Sequence, residues 1–410
     1  MSTTPAMPAG VSRGVHALGA AESRRALSAF LLFGVLSSAL GALLPAWGYH
    51  LEPDLRVAAN YFLCLNAGLL LAVRAAVALL DRGVGFVLML ASGLASAAFA
   101  LLSLSPIPPW PWALGFGTLV LGFSAGLLNT GVFHAISPLY RQDRASTITL
   151  AGTLYGSGCL LTALLVAGTY YIYSVQNILL MFGVISGLFV LHFWRAGIPS
   201  EPTLVQIPLR NVLQDFKNPG AVLFSLILFF QFGNEWSLAG WLPLFLIRRL
   251  GISPEKSILL LALYWGALLI GRVAAKAFLR SVSHARLLLG SVVAAFFGCM
   301  MLAFTSGFFG ATMGVLLVGS GFASIYPLVV EKIAHRFTYY HPGVYNGIFS
   351  FAVTGGLLAP FAVGYFAHWW GAGAMMVLPM LGTFMVFVLV LLILLENKLN
   401  GAADATTGAA

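Results

Sequence analysis

Gly68-Leu69-Leu70-Leu71-Ala72-Val73-Arg74-Ala75-Ala76 returns, little changed, as Gly266-Ala267-Leu268-Leu269-Ile270-Gly271-Arg272-Val273-Ala274. The shift is 198 residues in a chain of 410. Other pieces fall into step at 197 or 198 residues. Leu43-Leu44-Pro45 lies over Gly240-Trp241-Pro243 once Leu242 is allowed for, Gly122 over Gly319, and Gly158 over Gly355. Glycine and leucine are common here, so each match alone is weak. Four within one residue of the same offset indicate a doubled chain.

Each copy is a series of apolar runs. The chain is 60% hydrophobic and 8% charged, with a mean hydropathy of +0.94, whereas a soluble domain carries about 25% charged residues. Lipid is therefore the solvent for most of it. A helix needs about 20 residues to cross a hydrocarbon core roughly 30 Å thick. Twelve runs of that size lie near 26–47, 57–80, 84–105, 111–137, 146–172, 177–196, 220–247, 256–279, 286–306, 309–334, 343–367 and 373–395. They lack the alternating polarity of β-barrel strands.

The polar stretch 197–219, with Glu201, Arg210, Asp215 and Lys217, divides the spans six and six. The expected fold is thus an all-α membrane protein of twelve transmembrane helices in two six-helix bundles, 25–196 and 220–396. A tail at 1–24, the linker 197–219 and a tail at 397–410 complete it. An even-numbered repeat inserts both copies the same way round. That relates them by a pseudo-twofold axis along the membrane normal, with a solute site near the midplane between them.

The formal charge of +9 raises nucleic acid as a partner, but its distribution does not fit one. Fourteen of the 21 Lys and Arg fall on the side of the two tails, and Arg56, Arg248, Arg249 and Lys256 on the other. This is the positive-inside pattern of a multi-pass protein of the cytoplasmic (inner) membrane with both termini cytoplasmic. Arg248 and Arg249 are the main exception. Trp110 and Trp112, in an uncharged loop, and Trp369 and Trp370 suit the interfacial belt. The first 24 residues lack the apolar segment of a cleavable signal peptide. Cys64, Cys159 and Cys299 each fall inside an apolar run and read as small lipid- or helix-facing residues, not a disulfide set.

From about 25 to 396 the chain resembles the major facilitator superfamily. Asp81-Arg82-Gly83 stands where that family carries an Asp-Arg pair after span two. Val84-Gly85-Phe86 follows in place of basic residues, so the motif is partial, and Gly271-Arg272 is its counterpart in the second half. Three stretches resemble the fucose permease branch of sugar–proton symporters. They are Phe230-Gln231-Phe232-Gly233-Asn234-Glu235 with Trp241, Ile325-Tyr326-Pro327, and Gly355-Gly356 with Pro360 and Gly364. The resemblance implies a secondary transporter of a small polar solute, with protons as coupling ion. That branch carries membrane acids in spans one and four. The corresponding stretches here, Leu36-Ser37-Ser38-Ala39 and Leu128-Asn129-Thr130, have none, which leaves facilitated diffusion or another coupling site open.

Ionisable residues within the membrane are costly and mark function by default. Glu235 is the one acid near the middle of any span, suited to bind the solute, a proton, or both in turn; the alternative is a carboxyl that joins neighbouring helices. Gln231 shares its helical face, while Asn234 is turned by about 100°. Asn129 and Asn66 are candidates for hydrogen bonds to a solute, or else link helices. Tyr264 and Trp265, aligned with Asn66 and Ala67, offer an aromatic platform or core packing, and Tyr326, Tyr345 and Asn346 have a similar standing. Arg74 and Arg272, near the inner ends of spans two and eight, form an inner gate with Asp81 and Arg82 or snorkel to headgroups.

Eight histidines without an i, i+4 pair, and no Cys–His cluster, leave no basis for a metal site. There is no Walker loop and no cofactor motif, and nothing calls for an enzyme. The expected function is a monomeric transporter of a small polar organic solute, a sugar or related metabolite. An exporter of amphipathic compounds is the alternative within transport, and a receptor on the same fold the one outside it.

Overall fold

In the computed structural model, residues 23–51, 54–105, 110–198, 216, 218–337 and 347–407 are described. Twelve helices among them are long and apolar enough to cross a membrane. They are α1 Ser23–Leu43, α2 Leu55–Leu80, α3 Val84–Ser103, α4 Pro111–Ala135, α5 Ser146–Thr169, α6 Val175–Ala196, α7 Pro219–Leu250, α8 Pro254–Phe278, α9 His284–Phe304, α10 Phe308–Arg336, α11 Ile348–Trp370 and α12 Ala374–Glu396. Helix is the form such runs take in lipid, because a spanning chain must satisfy every backbone polar group within itself. Most of the linker 197–219, and residues 343–346 of the expected span eleven, lie outside the described residues.

Local chemistry sets the ends. Asp54 accepts hydrogen bonds from the amides of Arg56 and Val57 at the start of α2, Asp143 from Ser146 at the start of α5, and Asn218 from Gly220 at the start of α7. Such side chains satisfy amides that have no partner within the helix. Pro111, Pro219 and Pro254 open α4, α7 and α8, where the missing N–H is no loss. Gly251 closes α7 at φ +66°, a conformation glycine adopts without strain.

The same helix pairings build both halves. α2 packs on α4 as α8 does on α10, α1 on α5 as α7 on α11, and α3 on α6 as α9 on α12. The repeated glycines explain the closeness. A Cβ at Gly122 would strike the backbone of Leu65, and one at Gly319 the carbonyl of Tyr264; Gly158 meets Leu31 and Gly355 meets Phe229 in the same way. Small residues let membrane helices approach to backbone contact, where dispersion and weak polar terms hold them in place of the hydrophobic effect. The sequence repeat is thus a repeat of helix crossings.

The halves meet through α2 against α11 and α5 against α8, which the repeat makes equivalent, and through α1 against α7. An even number of crossings puts Ser23 and Glu396 on one face. On the opposite face the contact is tight. Gly41 abuts Ala239 and Gly240, Gly364 abuts Ala59 and Trp241, and the rings of Phe62 and Trp241 lie 5.2 Å apart. The Trp241 indole donates to the Pro360 carbonyl at 2.8 Å, a hydrogen bond within the second half that fixes this ring.

Candidate solute site between the two halves

Helix α7 sorts its polar side chains by direction. Gln231 and Glu235, four residues apart, share a face; Gln231 is fully buried and adjoins the Glu235 carboxyl. Asn234 turns the other way, and its amide donates to the Thr383 hydroxyl of α12 at 3.3 Å, close against Gly382. It therefore joins helices within the second half and does not face the centre.

Glu235 faces a cavity of about 840 Å³ between the halves. Its polar lining is Asn129 from α4, Tyr155 from α5, Arg272 from α8 and Tyr326 from α10. Asn129 and Tyr326 stand 197 residues apart, so they are one repeat position used twice. Phe30, Phe33, Phe133, Phe232, Trp236 and Phe349 supply most of the remaining wall. Their rings offer flat apolar surface, with Trp236 adding an indole N–H.

Arg272 is 7% exposed, and its Nη1 donates to the Gly152 carbonyl of α5, across the interface between the halves. Gly152 is what admits it: a Cβ there would lie 2.8 Å from Nη1 and 3.2 Å from Cζ. Nε is buried without a partner. Glu235 and Arg272 are near enough to interact electrostatically, yet no ion pair joins them; the ion pairs among the described residues are Arg56–Asp54, His284–Glu331 and Arg336–Glu396. Space remains between the two charges.

A second cavity, of about 1710 Å³, adjoins on the face carrying Ser23 and Glu396. Asp143, Arg144, Lys276, Glu331 and His335 line it, and Arg272 and Ile148 belong to both cavities. Arg144 reaches across it to the Ala334 carbonyl at 3.1 Å, and Glu331 pairs with His284 at 3.4 Å. The central site thus adjoins a wide polar vestibule on one face, with Arg272 and Ile148 between the two. On the other it is capped by the packed ends of α1, α2, α7 and α11.

Other expected site residues lie apart from this cavity. Asn66 donates to the Gly356 carbonyl at 3.3 Å, tying α2 to α11, and lines an adjoining space of about 480 Å³ that shares Leu69, Tyr155 and Trp236 with the central cavity. Tyr264 and Trp265 are fully buried; the Trp265 ring stands edge-on to Tyr155 at 6.0 Å, behind the wall that Tyr155 presents. Arg74, Asp81 and Arg82 are exposed, with the Arg82 guanidinium 5.7 Å from the centre of the Phe86 ring and no ion pair between Arg74 and Asp81. Tyr345 and Asn346 lie outside the described residues. Among the described residues no cluster of three metal-ligating side chains occurs.

Two six-helix bundles closing around a charged, aromatic-walled cavity define the architecture of a multi-pass membrane transporter. The family model for the Major Facilitator Superfamily matches residues 25–356, and the chain belongs to that family. Among solved structures, the crystal structure of a point mutant of the nucleoside transporter NupG matches with a TM-score of 0.66 at 14% identity. The match covers 90% of this chain and 99% of that one. At that identity the likeness is one of fold. No curated protein sequence matches the chain.

Proposed function

We propose that the chain carries a small organic solute with both an apolar face and polar groups, exposing the central cavity to each side of the membrane in turn. Glu235 binds the solute, a proton, or both. The observation that carries this reading is a buried carboxyl and a buried guanidinium facing one aromatic-walled cavity without pairing. Charges at that depth are costly and are kept where a pathway needs them.

A sugar or related metabolite fits the lining, with its C–H face on Phe33 or Trp236 and its hydroxyls on Asn129, Tyr326 and Glu235. The span-seven resemblance to sugar–proton symporters supports that solute, and a nucleoside, the cargo named for the structural neighbour, has the same mix of ring and hydroxyls. The aromatic share of the wall favours a second reading, export of amphipathic compounds. The distribution of Lys and Arg supports termini on the cytoplasmic side of the inner membrane, and one chain holds a whole pathway, which supports a monomer. Arg74, Asp81 and Arg82 remain gate candidates through the partial Asp-Arg motif.

The test is a thermal-shift screen of the purified protein against sugars, nucleosides, carboxylic acids and drugs, since a ligand of the native state raises apparent stability. Counterflow of the best binder in proteoliposomes follows. Glu235→Gln is expected to reduce concentrative uptake to background while its melting temperature stays within a few degrees of the parent. Uptake equal to the parent at every pH would remove Glu235 from the mechanism.

A further inference from the structure

Arg272 holds a positive charge, 93% buried, at the junction of the two cavities, with its Nε–H unused and Glu235 nearby but unpaired. Nothing about its place in the repeat demands burial, because its equivalent Arg74 is exposed. Gly152 keeps open the space the guanidinium occupies. A planar fork of donors, part of it unsatisfied, matches a carboxylate. We propose that the cavity takes an organic monoanion, its carboxylate on Arg272 and its apolar body among the Phe and Trp rings, and that Glu235 takes up one proton with it. This rests on the transporter reading of the same cavity and names its substrate class and coupling.

Charge balance gives the proton. Empty, the cavity holds the charges of Arg272 and ionised Glu235, which sum to zero. A bound monoanion adds one negative charge in surroundings of low dielectric, where an uncompensated charge is strongly disfavoured. A hydronium ion in the vestibule hands one proton to the Glu235 carboxylate and restores the sum. One O–H bond of the hydronium breaks, one O–H bond of the carboxyl forms, and neutral water is left.

The other titratable side chains near Glu235 are Tyr155 and Cys159 of α5, Tyr264 of α8 and Tyr326 of α10, none of which supplies a positive charge. From α1, α2 and α11 the wall is Phe30, Phe33, Leu69, Phe349 and Val353. Asp143, Arg144, Lys276, Glu331 and His335 lie beyond Arg272, in the vestibule.

The experiment measures binding of a series of monocarboxylates, from acetate through benzoate and phenylacetate to 1-naphthoate, against their amides. It uses the purified full-length protein between about pH 6 and 8, where the acids are ionised. The acids are expected to bind at least tenfold more tightly than the amides, with affinity rising about tenfold per unit fall in pH, the signature of one proton taken up per anion. Glu235→Gln is expected to bind the acids with no pH dependence, and Arg272→Gln to lose the preference for acid over amide.

The parent acid–amide and pH series need no variant to fold. Acids that bind no better than amides, or a parent whose acid binding ignores pH, overturn the proposal. A pH slope kept in Glu235→Gln removes Glu235 as the proton site. Glu235-dependent counterflow of a neutral solute, without any preference for acids, overturns the anion and leaves the transporter reading standing. No counterflow of any solute, with no acid preference, overturns both.

Discussion

Arg74 and Arg272 stand at matching positions of the two repeats, yet one side chain is exposed and the other is buried against the opposite half. The difference lies across the interface. Helix α8 faces Gly152 on α5, which has no side chain to exclude a guanidinium. The residue that the 197-residue shift puts in the place of Gly152 is Phe349 on α11, a bulky ring that clusters with Leu69 and Val353. The first half likewise has Ser37 and Ser38 where the second has Glu235. A symmetric scaffold therefore carries an asymmetric site, with both charges on the second half and the first contributing Asn129, Tyr155 and aromatic wall.

That comparison can be broken at its narrowest point. Gly152→Phe gives the second interface the residue of the first and is expected to expel Arg272, reducing transport to background; counterflow in proteoliposomes measures it. Uptake like the parent's would show that Arg272 is dispensable inside the cavity. Arg272→Gln against Arg74→Gln sharpens the contrast. Hydrogen bonds to a charged group contribute about 1.5–3 kcal/mol, so Arg272→Gln should weaken solute binding about 10- to 100-fold, while Arg74→Gln stays near the parent. Equal losses in a titration of both would make the repeat, not the burial, the functional unit.

Smaller effects test the scaffold and the shared polar position. Gly122→Ala and Gly319→Ala each push a Cβ into backbone at equivalent crossings, and overpacking of this kind costs about 1–3 kcal/mol. Both should lower the melting temperature, and no change in either would mean the helices give way cheaply. Asn129→Ala and Tyr326→Phe each remove one neutral hydrogen-bonding group, a loss of about 1 kcal/mol. A rise of about fivefold in apparent KM is expected for each. If only Asn129→Ala acts, the tyrosine serves as wall alone.

Much of the fold is legible in the residues. Twelve apolar runs, the polar break at 197–219 and the repeated glycines carry span number and symmetry, because membrane helices must be long, apolar and, where they cross closely, small. Glu235 is legible too, since an acid within lipid is rare. Direction is not legible in the residues. Asn66 reads equally as a solute ligand or a link between helices, and it bonds the Gly356 carbonyl, while Asn234 bonds Thr383. Tyr264 and Trp265 read as a platform or as core packing; both are fully buried, and Trp265 stands edge-on to Tyr155. Nothing in composition separates Phe33 and Phe133, which face the cavity, from the rest of the 31 phenylalanines.

The sequence alone determined that this chain lives in lipid, crosses it with paired sets of helices, and keeps one carboxyl in a place where charge is costly. Those properties follow from length, hydropathy and period, which each segment carries by itself. Which polar groups meet was decided only when the halves packed. Arg272 enters the cavity because Gly152, 120 residues away along the chain, leaves space for it. A side chain's partner on another helix depends on the volume of every residue between them, and no single stretch of sequence contains that.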